Sequence, residues 1–116
     1  MTLDELLSKA EESRAEIIAL EQALVRIPTI NTGVMPTGNE TALCHYLQDK
    51  LAEEEIASDI LESAPRRGNL LARLPGSGNG PSLLLLAHTD VVPIEDESQW
   101  RFPPFSATIH EGRIYG

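Results

Sequence analysis

Residues 83–93 read Leu-Leu-Leu-Leu-Ala-His-Thr-Asp-Val-Val-Pro. The run from Leu83 to Ala87 is apolar without alternation, which predicts a central strand covered on both faces. It ends in His88 and, two places on, Asp90. On an extended backbone, side chains two apart point to the same face, so the imidazole and the carboxylate can touch. The pair suits a metal ligand with a carboxylate beside it to orient the ring. It also suits a histidine that is merely hydrogen-bonded to Asp90 at a sheet edge. His-x-Asp alone is a weak signal. Its place at the end of a buried strand, where open α/β sheets put their ligands, favours a functional role.

Composition narrows the partners. The chain has 116 residues, one domain's worth, and 41% of them are hydrophobic. A formal net charge of −9 argues against nucleic acid and against anionic membrane surfaces. Cys44 is the single cysteine, which excludes an internal disulfide and four-cysteine metal sites and fits a reducing cytosol. The acidic N-terminus lacks the basic-then-apolar order of a signal peptide, and no apolar run is long enough to span a bilayer. The expectation is a soluble, cytoplasmic protein.

Residues 3–27 predict an amphipathic helix whose apolar seam weakens at Ser13 and Arg14, and Pro28 ends it. Residues 30–36 form a loop. Thr37 and Glu40 match a capping box for a second helix running to about Glu55, with Leu43, Leu47 and Leu51 as its buried stripe. Cys44 and His45 lie on that helix without ligand partners at useful spacing, so a buried thiol and an exposed imidazole are expected. Residues 56–61 and 70–74 predict short strands. The glycine-rich stretch 75–81 lacks the lysine and following helix of a phosphate loop, and is expected to join two strands as a hairpin. Most of the aromatics fall in residues 100–105, expected to pack as a rigid collar near the strand ends. Glu111-Gly112 predicts a tight hairpin between residues 107–110 and 113–115.

Leu86-Ala87-His88-Thr89-Asp90-Val91-Val92-Pro93 resembles the first metal motif of the M20 metallopeptidase family, which includes carboxypeptidase G2-like enzymes, acetylornithine deacetylase, succinyl-diaminopimelate desuccinylase and aminoacylase. Ile27-Pro28-Thr29 with Asn31 resembles the family's loop after the first helix. Glu40 stands where its second helix opens, and residues 69–74 resemble its second strand. Trp100, Pro104-Phe105 and residues 111–116 resemble the approach to its next motif. Ala87 replaces the usual glycine, a small-for-small change.

The resemblance implies an α/β fold: the N-terminal part of a mixed, mostly parallel sheet flanked by helices, as in zinc-exopeptidase-like catalytic domains, and incomplete. Residues 1–116 would be the N-terminal portion of the catalytic domain, with its remainder and an inserted smaller domain lying beyond. The implied activity is two-metal hydrolysis of peptide or N-acyl amide bonds of small amino-acid substrates by a metal-activated water. Zinc is the usual metal, with cobalt as an alternative, and the complete enzyme is expected as a homodimer. His88 is the candidate metal ligand and Asp90 the candidate catalytic residue, orienting the ring. The bridging aspartate, the general base and the other ligands are expected after Gly116; neither His45, His110 nor the run Glu53-Glu54-Glu55 matches them. A zinc site needs three or four protein ligands, so this chain alone is expected to bind metal weakly and to be inactive. Burying Leu83, Leu84, Leu85 and Leu86 would contribute roughly 6–12 kcal/mol, at about 1.5–3 each. An uncovered sheet face is therefore expected, which also fits a non-catalytic, partner-binding remnant.

Overall fold

The computed structural model describes residues 1–35 and 37–116. In chain order the elements are α1 (Leu3–Glu12), α2 (Arg14–Val25), α3 (Glu40–Glu53), β1 (Ser58–Glu62), β2 (Gly68–Ala72), a short 3-10 turn (Glu97–Gln99), β3 (Thr108–His110) and β4 (Arg113–Tyr115). They fall into two compact units, one of Met1–Ile27 with Ile94–Gly116, the other of Pro28–Pro93. No helix among the described residues is long and apolar enough to cross a membrane.

In the first unit, the expected single helix is two. It breaks at Ser13, where the seam weakens: the Ser13 hydroxyl turns back to donate to the Lys9 carbonyl at 3.1 Å. Thr2 and Glu5 form a reciprocal capping box that starts α1. No residue of α1 is buried. In α2, Gln22 reaches across to donate from Nε2 to the carbonyl of buried Ala107 at 2.8 Å. β3 and β4 pair antiparallel, with His110 opposite Arg113. Glu111 (φ 49°) and Gly112 (φ 73°) carry the two positive φ angles of a type I′ turn, the form that matches strand twist. Phe102 packs edge-on against Tyr115 at 4.9 Å and beside His110 at 5.4 Å.

In the second unit, α3 lies on the hairpin of β1 and β2, which pair antiparallel with Ile60 opposite Leu70. Leu43 and Cys44 are its buried apolar side chains, while Leu47 and Leu51 are half-buried and His45 is exposed. Gly68 lets helix and strand approach closely: a Cβ there would stand 2.9 Å from the Cα of Thr41. The expected capping box at α3 is absent. Asn39 occupies the N-cap without a side-chain hydrogen bond, Thr37 donates instead to the Val34 carbonyl, and Glu40 turns to Arg67. Pro36, assigned by sequence to the preceding loop, lies outside the described residues.

The fold is α/β, but the described residues do not show a mostly parallel sheet. They form two antiparallel two-stranded sheets, and parallel pairing is limited to a bridge between Ile30 and Val91. The segment 75–81 is not a hairpin, because β2 takes β1 as its partner and leaves residues 83–87 unpaired. The physical reason is the want of neighbours: a strand exists only by its ladder, and among the described residues none pairs with the leucines. Leu83, Leu84, Leu85 and Leu86 are 84%, 81%, 84% and 89% exposed.

Candidate functional site

The site is built where Thr29, Ile30 and Asn31 run beside Thr89, Asp90 and Val91. The Asn31 N–H donates to the Val91 carbonyl at 2.8 Å, and the Val91 N–H donates to the Thr29 carbonyl at 3.1 Å. The hydroxyl of buried Thr29 adds a bond of 2.6 Å to the Thr89 carbonyl. These three bonds hold the end of the leucine run against the loop that follows α2.

His88 and Asp90 meet across the spacing of two. His88 Nδ1 stands 3.1 Å from Asp90 Oδ1 and 3.1 Å from the Asp90 carbonyl oxygen. Both of those atoms accept, so a hydrogen bond to either has Nδ1 as its donor. The other ring nitrogen, Nε2, is left on a side chain that is 87% exposed. Asp90 is engaged from its far side as well: Asn31 Nδ2 donates to Oδ2 at 2.9 Å. That hydrogen bond, and then the one from His88, hold the Asp90 carboxyl below the usual carboxylate range.

Behind Asp90 stands Arg67, from the turn that precedes β2. Its guanidinium lies 4.0 Å from Asp90 Oδ2 and 3.1 Å from Oε2 of buried Glu40, and donates to the Thr37 carbonyl at 3.3 Å. Glu40, Cys44, Arg67, Leu86, His88 and Asp90 are among the residues lining an open cleft of about 440 Å³. Burial raises the Cys44 thiol, and the charge of Glu40 raises it further. Among the described residues, no three His, Cys, Asp or Glu side chains group closely enough to hold a metal ion.

Sequence reasoning brings His88 and Asp90 together through strand periodicity, but does not foresee the partners. Asn31 stands out there only as part of a resemblance, Glu40 also as half of an expected capping box, and Arg67 not at all. The available signal is the Asn31-Thr32-Gly33 step, in which Asn31 Oδ1 accepts from the Gly33 N–H at 2.9 Å as in an Asx-turn.

A helix over a hairpin, with a His-x-Asp pair at one edge of a cleft, is the local setting of a family motif. Residues 84–116 match the model of peptidase family M20/M25/M40. Over 105 residues the chain is 36% identical to a probable succinyl-diaminopimelate desuccinylase of Staphylococcus aureus, covering 90% of this chain and 24% of that protein. The corresponding protein of Staphylococcus epidermidis is 36% identical over 104 residues, with the same 90% and 24% covered. An N-formyl-4-amino-5-aminomethyl-2-methylpyrimidine deformylase of Halalkalibacterium halodurans is 31% identical over 116 residues, covering 98% of this chain and 26% of that protein. These matches support membership of the M20 family over a partial region, and the chain spans about a quarter of the length of the curated relatives it matches.

Proposed function

We propose that the whole protein is a metal-dependent hydrolase that cleaves amide bonds of small peptides or N-acyl amino acids. His88 binds one metal ion through Nε2, and Asp90 orients the His88 ring. The observation that carries this reading is the direction of the His88 ring: Nδ1 is engaged by Asp90 and Nε2 is exposed. An imidazole whose Nδ1–H is donated to a carboxylate keeps its lone pair on Nε2, the form that coordinates a metal, and the carboxylate increases its basicity. The chemistry of this donor pair fits zinc, with cobalt as the alternative and two ions per complete enzyme. When bound, the ions would polarise the amide carbonyl and lower the pKa of the attacking water.

The names of the relatives, a desuccinylase and a deformylase, support removal of an acyl group. The remaining ligands and the general base are assigned to parts of the protein outside these residues. The same parts would complete a mixed, mostly parallel sheet around residues 83–87, and a homodimer in the cytoplasm. The 116-residue chain alone is expected to be inactive.

The test uses the full-length protein, stripped with a chelator and reloaded with zinc or cobalt, on N-succinyl, N-formyl and dipeptide substrates. Hydrolysis should disappear on stripping and return on reloading. Hydrolysis that persists in metal-free protein would refute the reading. The exposed leucines also fit a non-catalytic module that covers residues 83–86 with a partner. Full-length protein that is properly folded, loaded with metal and inert on every such substrate would favour that alternative.

A further inference from the structure

The Asn31 side chain is fixed at both ends. Its Oδ1 accepts the Gly33 N–H at 2.9 Å, and its Nδ2 donates to Asp90 Oδ2 at 2.9 Å. The orientation of the amide is settled by its neighbours. A backbone N–H can only donate, so the oxygen must face Gly33, and an ionised carboxylate only accepts, so the NH₂ must face Asp90. The backbone of Asn31 is tied as firmly, through its N–H to the Val91 carbonyl at 2.8 Å, with Val91 returning a bond to Thr29 at 3.1 Å. Asn31 and Asp90 therefore flank the same parallel bridge, and the amide reaches the carboxylate from a fixed base.

We propose that Asn31 is a positioning residue for the His88–Asp90 pair: by occupying Asp90 Oδ2 it leaves Oδ1 turned toward His88 Nδ1, which keeps the ring proton there and Nε2 open to a metal. The proposal rests on the reading of His88 as a ligand. The carboxylate would otherwise turn about its χ2 angle, a broad and shallow torsion for aspartate. Asn31 removes that freedom on one oxygen, and His88 takes the other. Arg67 reinforces the same Oδ2 from 4.0 Å, but its guanidinium is already committed to Glu40 and the Thr37 carbonyl. Asn31 is thus the direct donor.

The test uses full-length protein with ¹⁵N-labelled histidine. Asn31→Ser is the informative variant, because its hydroxyl can still accept from Gly33 while losing the arm that reaches Asp90. Asn31→Ala is the second. Nitrogen chemical shifts of His88 are read in metal-stripped protein at mildly alkaline pH. Zinc affinity is read by chelator competition. In the parent protein His88 should be mainly the Nδ1–H tautomer. In Asn31→Ser it should move toward the Nε2–H tautomer that free imidazole side chains prefer, with zinc affinity down about tenfold, the lower end for residues that support a ligand. An unchanged tautomer in Asn31→Ser would overturn the proposal, as would unchanged zinc affinity where His88→Ala lowers it. If His88→Ala leaves zinc affinity unaltered, the ligand reading fails by itself, and the tautomer alone decides the role of Asn31.

Discussion

Arg67 Nε stands 3.1 Å from Oε2 of Glu40, a residue only 5% exposed at the first position of α3. Among the described residues neither carboxylate oxygen of Glu40 has a hydrogen-bond partner, so the guanidinium is what compensates the buried charge. Removing one member of a buried ion pair costs about 3–5 kcal/mol, because the remaining charge has no partner. Arg67→Met should therefore destabilise the protein by about 3 kcal/mol at neutral pH, the low end for a guanidinium that is partly exposed. Urea midpoints of the parent and Arg67→Met at neutral pH check this. An Arg67→Met midpoint equal to the parent's would contradict the pairing.

Cys44 offers a pH test, from the alkaline side. Burial first and Glu40 second raise its thiol above the ordinary range, while a hydrogen bond with the Leu70 backbone works against them. A folded-state pKa above the unfolded one means that its contribution is present below the unfolded thiol value. It is lost as pH rises through the folded one. The drop in urea midpoint between pH 7 and about pH 10 should be larger in the parent than in Cys44→Ala. Iodoacetamide should label the native thiol slowly at pH 8 and quickly in urea. Rapid labelling of native protein would contradict the burial.

The turn between β3 and β4 places Glu111 at φ 49°, a region that favours glycine and asparagine. Glu111→Asn should stabilise the protein by about 0.5–1 kcal/mol, since a left-handed conformation costs other residues about 1–2 kcal/mol. The lost contact between Glu111 and His110, 3.5 Å long and largely solvated, offsets little. Gly112→Ala should act in the opposite direction, because φ is 73° there. Thermal midpoints of the two variants, one higher and one lower than the parent, would bear this out. A lower midpoint for Glu111→Asn would not.

These tests probe features of unequal legibility. The turn at Glu111-Gly112 is local, marked by a glycine after one polar residue, and the weak seam at Ser13 is local too, although the sequence predicts a single helix across it. The meeting of His88 and Asp90 is local too, since it needs only an extended backbone. What escaped prediction depends on partners distant in sequence. Thr37 and Glu40 have the spacing of a capping box, but Arg67 offers Glu40 a charge that the helix end cannot match. The leucines of residues 83–86 signal burial, while the cover they need is not among the described residues, so they lie exposed. Asn31 could not be tied to Asp90 without the bridge that sets them side by side, since 59 residues separate them along the chain.

The central claim is that His88 coordinates a metal through Nε2 under the control of Asp90. The most direct measurement is the bound metal per chain in purified full-length protein, parent beside His88→Ala, with amide hydrolysis read on the same samples. The account predicts that His88→Ala binds less metal, with hydrolysis abolished and the fold retained by circular dichroism. Equal metal content and an equal rate in the two proteins would contradict it.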